Sequence, residues 1–294
     1  MSAESLPDDL LAPRPIAFDV APGVTLAGDD WGPEAGRPVV LLHGGGQTRH
    51  AWSGTAAALA KRGWRAISLD QRGHGDSSWA PDGDYHRTTY ADDVVAVARA
   101  LPQPPVLVGA SLGGMSSLLA LHRGGGDLAA ALVMVDIATR METKGLERIF
   151  EFMRARPDGF ANLDEAADAI AAYNPHRPRP KDLSGLEKNL RHGEDGRWRW
   201  HWDPRFIQGK EPAEPPREHT DIDAAAESLR VPTLLVRGRM SDILSEEGAR
   251  IFLDQVPHAQ FADISDAGHM VAGDRNDVFC DAVLAFLDGV FETE

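Results

Sequence analysis

Five short apolar runs mark the chain: "PVVLLHG" at 38–44, "RAISLDQRG" at 65–73, "PVLVGAS" at 105–111, "ALVMVDIA" at 131–138 and "PTLLVRG" at 232–238. None alternates cleanly between apolar and polar residues, which is how strands read when both faces of a sheet are covered. Residues at helical spacing follow at 51–62, 88–101 and 112–123. Near the end, "SEEGARIFLDQV" opens on a capping serine with acidic residues in its first turn. This αβ rhythm predicts an α/β fold with a mostly parallel central sheet and helices on both faces. The rhythm stops over 139–222, where Leu146, Ile149, Phe150 and Met153 recur at helical spacing and "LDEAADAIAAY" follows with no strand between. That block is expected to be a helical insertion between core segments 1–138 and 223–294. The proline-rich stretches 174–181 and 210–218 are expected to act as its connectors. No internal repeat is present.

A chain of 294 residues, 43% hydrophobic, buries one large core with length left for such an insertion. The net charge of −15 repels nucleic acid and anionic lipid. No apolar stretch approaches membrane-span length, and the acidic start "MSAESLPDDLLAPRP" lacks the basic and apolar regions of a signal peptide, so a soluble cytoplasmic protein is expected. Cys280, the sole cysteine, lies in apolar "DVFCDAVLAFL", which favours packing over a nucleophilic thiol. With no H-E-x-x-H and no cysteine cluster, neither metal nor cofactor is expected. A small-molecule substrate is the expected partner.

The loop "HGGGQTR" at 43–49 completes neither the P-loop nor the dinucleotide-binding spacing. Further on, Gly109-Ala110-Ser111-Leu112-Gly113 stands between an apolar strand and a helix, the setting in which G-x-S-x-G lifts a serine nucleophile above a sheet. A serine hydroxyl needs a base and a group to orient that base. Among eleven histidines, His269 in "DAGHM" follows a strand-like run near the C-terminus and precedes the last helix, which suits the base. Two aspartates suit the orienting role. Asp242 follows the strand after the insertion and is the favoured acid, whereas Asp136, ending the strand before it, reads as a structural carboxylate for local backbone N–H groups.

With "HGGG" at 43–46, "DQRGHGDSS" at 70–78, "GASLGG" at 109–114, "RGRMSD" at 237–242 and "AGHM" at 267–270, the chain resembles the α/β-hydrolase family, in its capped esterase, lactonase and peroxidase-like branch. The resemblance implies that 139–222 is a lid over the pocket, and that the backbone N–H groups of Gly45 and Leu112 form an oxyanion hole. Lipases with this loop often carry an aromatic next, where this chain has Gln47. The expected activity is cofactor-independent cleavage of a carboxylic ester or lactone by Ser111, His269 and Asp242. C–C bond hydrolysis, perhydrolysis or ligand sensing on the same fold are the alternatives. Trp198, Trp200 and Trp202 recur at period two in the insertion, and are expected to pin it to the core or to line the pocket.

Overall fold

The apolar runs become the middle of one sheet. In the computed structural model, which describes residues 12–175, 179, 181–208, 220–274 and 276–291, the strands are β1 (Arg14–Ala21), β2 (Val24–Trp31), β3 (Pro38–Leu42), β4 (Arg65–Leu69), β5 (Val106–Ala110), β6 (Ala131–Val135), β7 (Leu190–His192), β8 (Trp198–Trp200), β9 (Thr233–Gly238) and β10 (Gln260–Ile264). Eight of them form a sheet in the order β1-β2-β4-β3-β5-β6-β9-β10, parallel from β4 onward and antiparallel at the β1 and β2 edge. Successive residues of each central strand feed opposite cores. Val40, Leu42, Leu107, Leu132 and Met134 enter one cluster, while Val39, Leu41, Val108, Val133 and Val135 enter the other. Both faces being apolar, the runs show no period of two.

The helices that cover these faces are α1 (Ser53–Lys61), α2 (Arg87–Ala100) and α3 (Leu112–Gly124), then α4 (Thr143–Arg154) and α5 (Leu163–Tyr173) in the insertion, followed by α6 (Thr220–Glu227), α7 (Glu246–Gln255), α8 (Val271–Asp274) and α9 (Asn276–Phe291). The faces are divided between α2, α3, α6 and α7 on one side and α1 and α9 on the other. The side chain of Ser245 caps α7 by accepting from the Gly248 N–H. No described helix is long and apolar enough to cross a membrane.

The antiparallel β1–β2 ribbon is a feature that the apolar runs do not announce, because its strands alternate buried and partly exposed residues. The insertion also departs from the helical expectation: β7 and β8 pair as a hairpin, with Leu190 opposite Trp200 and His192 opposite Trp198. Helix α6 packs on α3 and α7 and belongs to the core. The connector 210–218, residues 176–178 and 180 of the other connector, His176 and His219, and residues 1–11 lie outside the described residues.

Register decides where chemistry can gather. Leu42 pairs with Gly109, Ala110 with Val135, Val135 with Val236, and Gly238 with Ile264. The chain therefore leaves β3, β5, β6, β9 and β10 along one carboxyl edge, where an open parallel sheet places its ligand sites.

Candidate active site

Ser111 sits where β5 turns into α3, with φ 47° and ψ −109°, a region that L-residues rarely occupy. The surrounding glycines make that turn possible. A Cβ on Gly109 would overlap the backbone of Gly113 and Gly114, and one on Gly113 would overlap the Leu42 carbonyl. The Ser111 N–H donates to Val135 O at 3.2 Å, which ties the turn to the end of β6, one residue before Asp136.

Asp136 is fully buried and also has a positive φ, 51°. Its Oδ2 accepts from His269 Nδ1 at 2.7 Å and from the Ser241 hydroxyl, and its Oδ1 accepts the Gly238 N–H at 2.9 Å. Three donors on one buried carboxylate fix its position and orientation. A His269 that gives Nδ1–H to Asp136 has Nε2 as its basic nitrogen.

The expectation that Asp242 orients His269 is therefore corrected. Asp242 pairs with Arg148 of α4 at 2.9 Å, and the two side chains are 39% and 47% exposed respectively. The reason lies in the packing of α4. Gly145 lets the helix lie directly on the Asp242 carbonyl, which puts Arg148, one turn on, beside the carboxylate. On the other side, Gly238 accepts the backbone of Ala267 and Gly268 against it, so the His269 loop comes in over β9 to reach β6. The reading of Asp136 as a carboxylate for local backbone N–H groups is corrected too, since the backbone N–H that it accepts is that of Gly238, 102 residues on in the next strand of the sheet.

The glycine loop is held from several sides. The Gly44 N–H donates to Gln47 Oε1 at 2.9 Å, Gly44 O receives both the Gln47 N–H at 3.1 Å and His43 Nδ1 at 2.8 Å, and the Gly46 N–H donates to His74 Nε2 at 3.1 Å. Gly46 O lies 3.3 Å from Nε2 of His201, a residue of the insertion, whose Nδ1 accepts the Gly75 N–H at 2.7 Å. These partners require neutral histidines. Burial agrees, pushing His43 below its ordinary value and His201 down to about 3. With Gly44 and Gly46 occupied, the Gly45 N–H, like that of Leu112, has no acceptor among the described residues. A methyl group on Gly44 would lie 3.4 Å from Ser111 Cβ, so the loop and the serine are neighbours. Two idle N–H groups beside a serine can receive a developing oxyanion.

The insertion reaches the same loop through Trp202, Met153 and Phe206. Ring or methyl atoms of Trp202 and Met153 lie 3.3 and 3.1 Å from where a Cβ on Gly46 would be, and Phe206 lies 3.4 Å from that of Gly45. Trp200 stacks on Trp202 with ring centroids 5.0 Å apart. Beyond it, Phe152, Tyr173, Phe160, Arg148 and Arg156 line a cavity of about 400 Å³. Trp202 thus contacts the core loop and Trp200 lines the space, while Trp198 packs within the insertion on His192 and Phe160. Sequence reasoning gave no role to Ser241, His74 or His201. Of these, His74 and Ser241 had a local signal, their places in "RGHGDS" and "RGRMSD", and His201 had none.

The comparisons agree with this fold. Residues 37–275 match a family model described as alpha/beta hydrolase fold. The chain is 29% identical over 266 residues to Esterase Rv0045c of Mycobacterium tuberculosis, covering 88% of this chain and 85% of that protein. The crystal structure of that esterase superposes with a TM-score of 0.72, covering 94% of this chain and 92% of that one. Protein phosphatase methylesterase 1 of Mus musculus is 33% identical over 141 residues, covering 45% of this chain and 36% of that protein. E-2-(Acetamidomethylene)succinate hydrolase, at 24% identity, shares the fold with a TM-score of 0.82 over 94% of this chain and all 100% of its own. A strained serine on the turn after β5, a buried carboxylate holding a histidine at the same sheet edge and a family match over most of its length place this chain in the α/β-hydrolase fold family.

Proposed function

We propose that this protein is a cofactor-independent serine hydrolase that cleaves a carboxylic ester or lactone through an acyl-enzyme on Ser111. The observation that carries the reading is the His269–Asp136 hydrogen bond of 2.7 Å at the edge where Ser111 stands in its strained turn. His269 Nε2 takes the Ser111 proton as Oγ attacks the carbonyl carbon. The carbonyl oxygen becomes an oxyanion received by the Gly45 and Leu112 N–H groups. Collapse expels the alcohol, which receives the proton from His269. Water, deprotonated by the same nitrogen, then releases the acid. Asp136 holds the imidazole tautomer and stabilises the imidazolium. The segment 139–222 acts as a lid that shapes the pocket, and esterase activity in a relative over most of both chains supports the ester bond as target.

The test is Ser111→Ala with an activity-based fluorophosphonate. Hydrolysis of a p-nitrophenyl ester is expected to fall by at least about 10⁴-fold with the melting temperature not lowered, and the probe to label Ser111 stoichiometrically. Labelling at another serine, or activity surviving in the alanine variant, would sink the assignment.

A further inference from the structure

Gln47 stands where related lipases often carry an aromatic, and its side chain has a definite orientation. Only the oxygen of a carboxamide can accept, so the 2.9 Å bond from the Gly44 N–H fixes Oε1 toward the loop and turns Nε2 away from it. The Gln47 N–H closes the same turn onto Gly44 O at 3.1 Å. Nε2 is bonded to no described residue, nor is it sealed from solvent. The carboxamide also lies beside the nucleophile: a methyl on Gly44 would be 3.0 Å from Gln47 Oε1 and 3.4 Å from Ser111 Cβ, so both flank one face of that glycine. Besides His201, which is engaged with Gly46 O, the insertion brings the apolar side chains of Phe206, Met153 and Trp202 to the neighbouring glycines.

We propose that Gln47 is a specificity-determining residue whose Nε2–H groups bind an acceptor oxygen carried on the acyl chain one or two carbons from the reacting carbonyl. The favoured acyl groups are then alkoxy-, oxo- or hydroxy-acyl rather than plain alkanoyl. The oxyanion already has the Gly45 and Leu112 N–H groups, so the Gln47 donors serve a second oxygen. A donor that the bound acyl chain covers discriminates strongly, because a chain lacking the oxygen displaces its water and leaves it unpaired.

The inference rests on the serine-esterase reading, and its test separates the two. p-Nitrophenyl methoxyacetate and p-nitrophenyl butyrate have acyl chains of equal length, with an oxygen in one replacing a methylene in the other. The measurement is the ratio of their kcat/KM values in wild type, Gln47→Glu and Gln47→Met, each checked for an unchanged melting temperature. Gln47→Glu keeps an acceptor for the Gly44 N–H and loses the donors, while Gln47→Met loses both. Relative to wild type, the methoxyacetate-to-butyrate ratio is expected to fall at least about tenfold in both variants. An unchanged ratio, with both esters slowed alike, would overturn the inference and leave Gln47 as a brace for the loop. Wild-type hydrolysis of both esters, lost in Ser111→Ala, upholds the esterase reading whatever Gln47 does. Hydrolysis of neither overturns both.

Discussion

Asp136 and Asp242 follow neighbouring parallel strands of one sheet, and they live in different chemical worlds. Asp136 is fully buried, its two oxygens taking three donors, all of which come from the core. Asp242 is 39% exposed and spends its charge on Arg148 of the insertion, itself 47% exposed. Proximity to the sheet edge does not make a carboxylate an orienting acid. What does is the number of fixed donors that hold it in place, together with its removal from water, since a screened pair restrains little. The first aspartate belongs to the carboxyl edge of the sheet, beside His269, and the second to the seam between core and insertion.

The sharpest way to break the comparison is Asp136→Asn. The amide keeps the shape but forces the wrong imidazole tautomer on His269, so kcat/KM for a p-nitrophenyl ester is expected to fall about 10⁴-fold. Retained activity would return the role to Asp242. Ser241→Ala removes one of the three donors while leaving the carboxylate charged. Urea denaturation is expected to show a loss of about 1.5–3 kcal/mol, and kcat/KM to drop about tenfold.

The seam can be probed by pH through His201, which belongs to the insertion but holds Gly46. Its ordinary value of 6.5 is lowered by burial to about 3. The unfolded chain thus takes up a proton below about pH 6.5 that the folded site refuses until about pH 3. Stability present above the upper value is lost as the pH falls through this window. Wild type should lose its advantage over His201→Gln by about 1.4 kcal/mol per pH unit below the upper value, measured by denaturation at pH 7, 6 and 5. A constant difference would mean that His201 takes up its proton equally readily in the folded and the unfolded chain. The smallest effect is expected from Asp242→Asn, which removes a half-exposed pair worth about 0–1 kcal/mol, so kcat/KM should stay within about fivefold of wild type. A collapse of activity there would erase the distinction between the two aspartates.

Much of this was legible in the residues. The doubly buried strands announced themselves as unbroken apolar runs, and the turn around Ser111 did so through glycines that leave no room for a Cβ. His269 followed from its position between the last strand and the last helices. The acid was not legible, because both aspartates follow strands of the sheet and the choice depends on which way Gly145 lets α4 lie on the Asp242 carbonyl. The β7–β8 hairpin was hidden because three-residue strands leave almost no period to read. The His201 contact was hidden because a partner 155 residues away leaves no mark on local spacing.

That separation has a consequence for the order in which the enzyme is completed. A chain emerging from the ribosome supplies its parts in sequence: the glycine loop at 43–46, then Ser111, then Asp136, then the His201 clamp, and His269 last. The five strands from β2 to β6 can pair before the insertion exists, so a nascent intermediate already holds its nucleophile on a formed sheet. It has neither the clamp on Gly46 nor the base. On the proposed mechanism the base joins the nucleophile only after β9 and β10 have docked on β6.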